Sequence, residues 1–511
     1  MTGTDRLGMG TACKYAMRCF DFGKLEAGKV LMFLAFLVGA LLLDATVKPR
    51  PAIRVLLHLR SMAGLCLHTL IVASVFGLLL LLCGNVPAAA LLSLGIVALF
   101  TIVSNAKRAM LGEALVFSDL ALIGAVFRHP QFYLSALGPV QKAALGALGV
   151  LLPVTLWALF VPLWQPHVIG LAMVLGGITL IRVLLRLSPW ADLAQTPDAE
   201  ADVERHGLLP TILLHWQRWR ETPDPAPRAP FPARPADQAN ERPVAVIVQC
   251  ESFADPVELF GNGALSLPGL AAARAQAWQW GNLMVSGFGA YTMRTEYGVL
   301  FGRGEDELGF RRFDPFLTAQ GEASYALPAR LHGAGWHSLF VHPHDLRFYN
   351  REEIMQAGGF AELVGEDRFT PPGPGEGRYV SDAAIAGEIM RLARDAAAAT
   401  LIYAVTIENH GPWAASPAEL EHDYMRLVRK GDAMLSGLRH DLSTLERPAT
   451  LVFFGDHRPA IPGLSMPGGA RHTPYVIIRL DSQGDIIPGE KRKVDLTPAD
   501  LHHTVAELLA S

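Results

Sequence analysis

Long apolar runs dominate the first third of the chain, whereas the remainder alternates between short apolar runs and mixed stretches. Five apolar segments stand out, at roughly 62–83, 86–103, 143–163, 167–185 and Val30–Leu43. The first four are long enough, or nearly so, to cross a bilayer. The last is shorter but almost purely apolar, and it can span with some bilayer thinning. The pattern predicts an N-terminal α-helical transmembrane bundle of about five spans, in residues 1–186.

Two stretches in this region have a second interpretation. A cleaved signal peptide is the alternative for Val30–Leu43, but no small-residue cleavage site follows and more apolar segments come after it. The stretch 107–128 includes Glu113 and Asp119, and we interpret it as an amphipathic or interfacial element. A plain loop is the alternative there.

Residues 187–242 are rich in proline and acidic residues, which is a linker composition. The segment Leu208–Trp219 interrupts this linker and is predicted to be a short amphipathic helix that lies on the membrane. The third predicted domain is 243–511.

Membrane orientation cannot be taken from charge alone. Lysines and arginines before the first span favour a cytoplasmic N-terminus, so five spans would place the C-terminal domain outside. The loop after that span would then also lie outside, although it carries four basic residues: Lys48, Arg50, Arg54 and Arg60. The basic residues therefore argue against an external domain.

From residue 243 onward the pattern is typical of an α/β domain. Four apolar runs rich in β-branched or aromatic residues suit strands buried on both faces of a parallel sheet, at 244–248, 338–341, 401–405 and 451–454. Helix-like stretches lie between them, such as Val380–Ala399 and Pro417–Leu438. The prediction is a central, largely parallel sheet.

Each of these runs is followed by side chains that serve in metal binding or acid–base chemistry. The residues are Glu251 after the first run, His342 and His344 after the second, His410 after the third, and Asp456 and His457 after the fourth. Active sites of open α/β sheets lie beyond the carboxyl ends of the strands, so the fold would gather these residues at one edge.

Glu251, Asp456 and His457 offer two carboxylates and an imidazole, which suit zinc or manganese better than calcium. The alternative is a turn with ordinary polar residues. The formal net charge of −4 excludes an overall basic nucleic-acid binder. Cys250 is the sole cysteine of the C-terminal half, so no disulfide can form within that half.

A glycine-rich loop, Ser286–Tyr291, leads into a predicted helix that begins near Thr292. Free N–H groups at a helix start favour a phosphate, and a threonine hydroxyl held on a metal becomes a nucleophile. A plain N-cap is the alternative for Thr292, and Thr295 is the rival nucleophile.

Further residues are candidates for holding phosphate. His342, His344, Tyr349 and Arg351 form one group, and Arg351 can bind phosphate through two parallel hydrogen bonds. His410 is a candidate proton donor, and His472 a candidate neighbour of the site. A polar surface loop or a structural histidine is the alternative for each.

The C-terminal half, over roughly 243–480, resembles the lipoteichoic acid synthase and phosphoglycerol transferase family of the alkaline phosphatase–sulfatase superfamily. The resemblance implies that Glu251, Thr292, Asp456 and His457 bind one metal ion, manganese, with zinc or magnesium as alternatives. It assigns the nucleophile to Thr292 rather than Thr295. It further implies a head-group site at His342, Tyr349 and Arg351.

The implied enzyme is a multi-pass protein of the bacterial inner membrane with its catalytic domain on the outer, periplasmic side. It would move phosphoglycerol from an anionic phospholipid, phosphatidylglycerol, to an envelope glycan or a glycerol-phosphate polymer. Phosphoethanolamine transfer is the near alternative, although such enzymes typically carry several disulfides. A hydrolase of the same superfamily and a non-catalytic envelope binding protein are the others. A sulfatase lacks support because no Cys-x-Pro-x-Arg element is present.

Overall fold

The structure is a computed structural model of the protein, and most of the chain is described. The described residues are 9–50, 60–121, 157–235, 241–373, 375–413, 419–489 and 493–510, with a few helical residues between 146 and 155. They divide into two compact units, with the main boundary between Gln217 and Arg218.

The N-terminal unit is helical. Its helices are α1 (Met9–Ala45), α2 (Met62–Cys83), α3 (Val86–Leu111), α4 (Trp164–Leu184), α5 (Ala199–His206) and α6 (Leu208–Glu221). Among the residues that the structure describes, four segments are long and apolar enough to cross a membrane: Ala27–Ala45 in α1, and the whole of α2, α3 and α4. The protein is therefore a multi-pass membrane protein.

Four of the five predicted spans coincide with these helices. The short segment Val30–Leu43 is part of the 37-residue helix α1, whose apolar portion is long enough to span. Much of the fifth segment, 143–163, lies outside the described residues, as does 122–128 of the predicted interfacial element. The predicted amphipathic helix at Leu208–Trp219 corresponds to α6.

Small residues allow α2 and α4 to pack closely. A Cβ atom at Gly170 would lie 2.4 Å from the Leu81 main-chain nitrogen, and one at Gly77 would lie 2.7 Å from the Met173 Cβ. Close backbone approach of this kind is the usual basis of helix association in membranes. Lipid tails are as apolar as the helix surfaces, so the hydrophobic effect does not drive helices together there, and close packing does.

A buried ion pair joins the end of α1 to the chain before α2. Arg60 Nε lies 3.1 Å from Asp44 Oδ2, and Arg60 also donates to main-chain carbonyls, including that of Val203. Asp44 Oδ1 accepts a hydrogen bond from the Leu208 N–H, at the start of α6. Arg60, counted above as a loop charge, is therefore a buried cross-link within this unit.

The described residues of the proline-rich segment after α6 form neither helix nor strand, and this segment contacts the rest of the C-terminal unit. Asp224 pairs with Arg311 at 2.9 Å. Further along, the Phe231 N–H donates to the Arg330 carbonyl at 2.7 Å, and the Arg330 guanidinium lies 4.2 Å from the Phe231 ring centroid.

The C-terminal unit is built on a seven-stranded sheet. The strands are β1 (Val244–Cys250), β2 (Gln279–Leu283), β3 (His337–Val341), β4 (Glu362–Val364), β5 (Thr400–Val405), β6 (Ala449–Gly455) and β7 (Thr473–Leu480). Their order is β2-β7-β6-β1-β5-β3-β4. The five strands from β6 to β4 are parallel, and β7 runs antiparallel to both β6 and β2.

Helices cover both faces of this sheet. They are α7 (Pro256–Phe260), α8 (Pro268–Gln276), α9 (Thr292–Phe301), α10 (Glu305–Leu308), α11 (Leu327–Leu331), α12 (Arg351–Ala357), α13 (Asp382–Asp395), α14 (Leu420–Ser443) and α15 (Pro498–Ala510). The α8, α13 and α14 side chains pack on one face, with Val246 and Val248 of β1. The α9, α11, α12 and α15 side chains pack on the other, with Ala245 and Ile247.

The predicted fold class is confirmed, because all four predicted strands and both predicted helices are present. Alternate residues of β1 enter opposite cores, and all seven are buried, which explains why every residue of β1 except Gln249 is apolar rather than every second one.

Candidate metal centre and active site

Glu251 follows β1 directly and is held by its own main chain. Its N–H donates a 3.0 Å hydrogen bond to the Thr406 hydroxyl, just after the neighbouring strand β5. The chain then turns at Ser252, which has a positive φ of 51° and whose hydroxyl donates to Glu251 Oε1 at 2.8 Å. The carboxylate is therefore fixed at the edge of the sheet and is buried.

Asp456 and His457 follow β6, the strand on the other side of β1. Asp456 Oδ1 accepts hydrogen bonds of 2.8 Å from the N–H groups of both Ser252 and His457. In the described chain, Asp456 Oδ2 is buried without a hydrogen bond of good geometry. His457 Nδ1 lies 3.2 Å from the Arg458 carbonyl and donates to it, which leaves Nε2 directed at the two carboxylates.

These three side chains can hold one cation together. His457 Nε2 lies 3.5 Å from Glu251 Oε1 and 3.5 Å from Asp456 Oδ2. One ligand atom from each residue lies within 4.8 Å of the others, and all three residues are buried. Zinc ligands at about 2.0–2.2 Å from an ion have similar mutual spacings, so the donor set fits a divalent metal.

Electrostatics supports the same conclusion. Burial, and then the charge of Glu251, raise the pKa of Asp456 to about 7. Burial alone would lower the pKa of His457, but the carboxylates of Asp456 and Glu251 raise it overall. Two carboxylates crowded in a buried site repel each other, and a divalent cation would relieve that repulsion.

Thr292 lies beside this group. It is the first residue of α9 and is half-buried. Its hydroxyl is close enough to the Asp456 carboxylate to lower the pKa of Asp456. The two hydrogen bonds to Asp456 described above come from main-chain N–H groups. Gly289 brings the preceding loop in, because a Cβ there would lie 2.4 Å from the Ala460 Cβ.

The predicted head-group residues form a second cluster at the end of β3. His342 is buried, and its Nδ1 donates to the Val405 carbonyl at 3.1 Å. Burial, and then the positive charge of Arg351, hold the pKa of His342 well below its usual range, so the ring is neutral at pH 7. The His344 ring lies 6.0 Å from that of His342.

Arg351 is paired in a way the sequence did not indicate. Its Nε and Nη2 donate to Glu296 of α9 at 3.0 and 2.8 Å, and both side chains are buried. Its guanidinium lies 5.2 Å from the Tyr349 ring centroid. The fork expected to bind phosphate is thus engaged by a carboxylate. Glu296 was missed because a partner 55 residues away leaves no local pattern.

His410 and His472 lie in different surroundings. His410 is exposed, and its ring meets the Tyr379 ring edge-on at 5.7 Å. His472 Nε2 lies 2.6 Å from Glu258 Oε2 and 2.9 Å from Arg458 Nη2. The structure therefore gathers Glu251, Asp456, His457 and Thr292, and it gives His472 a separate set of partners.

Comparison with known proteins identifies the family of the C-terminal unit. The sulfatase family pattern matches residues 243–511, which is more than half of the chain. The chain belongs to the sulfatase family. That family lies within the sulfatase and alkaline phosphatase superfamily predicted above; the finer resemblance to phosphoglycerol transferases bears on the proposal below.

Two relatives from Rhizobium meliloti (strain 1021) are similar to this chain. The capsular polysaccharide biosynthesis protein RkpI is 30% identical over 439 residues, covering 79% of each chain. A putative cyclic β-1,2-glucan modification protein is 26% identical over 254 residues, covering 47% of this chain and 39% of its own.

Among solved structures, the integral membrane lipooligosaccharide phosphoethanolamine transferase A from Neisseria meningitidis is similar over nearly the whole chain. The TM-score is 0.56 at 12% identity, and the match covers 94% of this chain and 95% of that one. The likeness shows that this sulfatase family member shares the fold of that protein, membrane helices included.

Proposed function

We propose that this protein transfers phosphoglycerol from phosphatidylglycerol to an envelope glycan or glycerol-phosphate polymer, through a covalent intermediate on Thr292. One observation carries the proposal: a threonine hydroxyl at the start of a helix lies against a buried Glu251–Asp456–His457 metal set. The membrane helices support a lipid donor, because they keep the enzyme at the bilayer where that donor resides.

Glu251, Asp456 and His457, with the Thr292 hydroxyl, would hold the metal ion. When bound, a divalent ion lowers the pKa of a coordinated hydroxyl and neutralises charge on a phosphate. We propose manganese, with zinc or magnesium as alternatives. The N-terminal N–H groups of α9 add a positive potential where a phosphate would sit.

In the first step the Thr292 hydroxyl releases its proton to solvent, and its oxygen attacks the phosphorus of the phospholipid. The bond between phosphorus and the diacylglycerol oxygen breaks, and His410 donates a proton to that leaving oxygen. Diacylglycerol departs, and phosphoglyceryl-Thr292 remains. His342, His344, Tyr349 and Arg351 hold the head group during this step, while Glu296 keeps Arg351 in place.

In the second step an acceptor hydroxyl attacks the same phosphorus. Its proton passes to His410, the bond from phosphorus to the Thr292 oxygen breaks, and that oxygen takes a proton from solvent, which regenerates the threonine. Water in place of the acceptor would make the protein a phosphodiesterase. Whether the enzyme transfers or hydrolyses the head group therefore depends on whether an acceptor hydroxyl or water reaches the phosphorus.

The names of the two relatives support an envelope saccharide as the acceptor, since one acts in capsular polysaccharide biosynthesis and the other in modification of cyclic β-1,2-glucan. We propose a location in the bacterial inner membrane with the C-terminal unit on the periplasmic side. Phosphoethanolamine is the alternative head group. Cys250 is free and buried, unlike the disulfide-bonded cysteines expected in those enzymes.

The test is mass spectrometry of the full-length protein, purified in detergent and incubated with manganese and one phospholipid at a time. With phosphatidylglycerol we expect a phosphoglyceryl adduct on Thr292, and with phosphatidylethanolamine no adduct. A phosphoethanolamine adduct instead would change the donor. Absence of any adduct, together with no cleavage of either lipid, would refute the proposal and favour a non-catalytic binding protein.

A further inference from the structure

A short segment before α13 is fastened to the loop that carries His410. Arg378 Nη2 donates to the main-chain carbonyls of His410 and Gly411, at 3.2 and 2.8 Å. The same guanidinium lies 5.1 Å from the ring centroid of Tyr379. Arg378 and His410 are exposed and Tyr379 is half-buried, so the three side chains form an accessible group.

Tyr379 connects this group to the metal centre. Its ring meets the His410 ring at 5.7 Å and 70°. Burial raises the pKa of Tyr379, the charge of Arg378 opposes this rise, and the charge of Glu251 adds a smaller increase. Tyr379 therefore lies beside the proposed acid and within electrostatic range of a proposed metal ligand.

The group and the nucleophile approach the edge of the sheet from opposite faces. Val380, next to Tyr379, and Trp413, close after His410, pack in the core that contains α13 and α14. Met293, next to Thr292, packs in the core on the other face. An in-line displacement needs the entering and departing oxygens on opposite sides of phosphorus, so the acceptor enters on the side of His410.

We propose that Tyr379 and Arg378 form the binding site for the acceptor, and that the acceptor is a sugar. This inference rests on the proposed function. A half-buried aromatic ring offers an apolar face for the C–H face of a pyranose. A guanidinium has five N–H donors, and hydrogen bonds to two carbonyls through one nitrogen leave donors for sugar hydroxyls.

The bound sugar hydroxyl attacks the phosphorus of phosphoglyceryl-Thr292. A bond forms between the sugar oxygen and phosphorus, and the hydroxyl proton goes to His410. The bond from phosphorus to the Thr292 oxygen breaks, and that oxygen takes a proton from solvent. Tyr379 takes no part in proton transfer, and it determines which alcohol is in position. The site thereby favours a ring-bearing acceptor over glycerol or water.

The test uses full-length protein in detergent with a fluorescent phosphatidylglycerol. Donor cleavage is measured without acceptor, with glycerol and with cyclic β-1,2-glucan. For Tyr379→Ala we expect KM for the glucan to rise about tenfold or more, a larger effect than any change in cleavage without acceptor or in KM for glycerol. Tyr379→Phe keeps the ring and should retain transfer to the glucan.

A matched control is Tyr325→Ala. Tyr325 is also half-buried, with the Arg228 guanidinium 4.8 Å from its ring centroid. It contacts the proline-rich segment after α6 rather than the proposed acceptor site. We expect that variant to leave both activities unchanged.

Three results would overturn the inference: equal loss of cleavage and transfer in Tyr379→Ala, equal impairment in Tyr379→Phe, or a wild-type enzyme that uses glucan no better than glycerol. A wild-type enzyme that cleaves no donor would instead refute the proposed function.

Discussion

The hydroxyl of Thr295 donates a 2.7 Å hydrogen bond to the main-chain carbonyl of Asp456. Thr295 is buried in α9, one turn after the half-buried Thr292 at the helix start. The two threonines that compete for the nucleophile in the sequence therefore have different surroundings. Thr295 fastens α9 to the turn that carries Asp456 and His457, whereas Thr292 lies beside the carboxylate of Asp456.

The first prediction concerns these two threonines. Thr292→Ala should abolish the phosphoglyceryl adduct, because no oxygen remains to attack phosphorus, while Thr292→Ser should still form it. Thr295→Ala should form the adduct but lose about 1 kcal/mol of stability with its hydrogen bond. Adduct mapping by mass spectrometry and thermal melting in detergent would measure the two effects. An adduct retained in Thr292→Ala and lost in Thr295→Ala would make Thr295 the nucleophile.

The second prediction concerns metal binding and pH. In the metal-free protein the raised pKa of His457, and that of Asp456 at about 7, mean that protons occupy the site near neutral pH. A metal must displace them, so affinity should rise as pH increases from 6 through about 7, and it should level off only once both groups have lost their protons. Calorimetry with manganese in two buffers of different ionisation enthalpy would measure the protons released.

The control for that experiment is His422→Ala, since His422 is an exposed histidine on α14. This variant should bind manganese with unchanged affinity and unchanged proton release, whereas Glu251→Ala should lose most of the affinity. A wild-type affinity that is constant between pH 6 and 8 would contradict the proposed ligand set.

The third prediction concerns the buried pair of Glu296 and Arg351. Arg351→Ala leaves the Glu296 carboxylate buried without its partner, which should cost about 3–5 kcal/mol. The double variant Glu296→Gln/Arg351→Met should recover most of that stability because it removes both charges. If Arg351 also holds the head group, the double variant stays inactive although it is folded.

Arg391→Ala is the matched control for this pair. Arg391 is an exposed arginine that pairs with Glu388 and Asp395, and its loss should cost about 1 kcal/mol or less. An Arg351→Ala variant that melts like the wild type would show that the pair is not what holds α9 to α12.

The residues that directly follow the strands are the part of the site that the sequence predicts. Apolar runs followed by Glu251 or by Asp456 and His457 indicated both the sheet and the edge where these residues meet, because parallel strands place their carboxyl ends together. The choice between Thr292 and Thr295 rests on a family resemblance, since both lie within the first four residues of one helix.

Contacts between distant segments left no such pattern. Glu296 lies in an ordinary helical pattern, which does not indicate that α12 brings Arg351 to it. Tyr379 lies in a loop, where the sequence has no periodicity. The predicted span at Val30–Leu43 is shorter than α1 for a different reason. Polar residues before Val30 mask the apolar period, although the helix begins at Met9.

The last prediction concerns Asp382, the first residue of α13. It is fully buried, and neither carboxylate oxygen has a hydrogen bond of good geometry in the described chain. Its main-chain N–H donates to Glu408 Oε2 at 2.8 Å, and Glu408 is paired with Lys430. Burial, and then the charge of Glu408, raise the pKa of Asp382 to about 8 from its ordinary value of 3.8.

A raised carboxyl pKa in the folded state makes unfolding easier as pH rises. Between pH 4 and 8 the unfolded chain has released this proton and the folded protein still holds it, so stability falls over that range and is constant above it. An asparagine side chain cannot ionise, so the melting temperature of Asp382→Asn relative to the wild type should increase from pH 5 to pH 8 by about 2 °C or more. Asp395→Asn, at the exposed end of the same helix, should show the same difference from the wild type at both pH values. Metal-free protein should be used throughout, so that metal binding does not contribute. A difference that stays constant from pH 5 to pH 8 would show that Asp382 is already ionised in the folded state over this range.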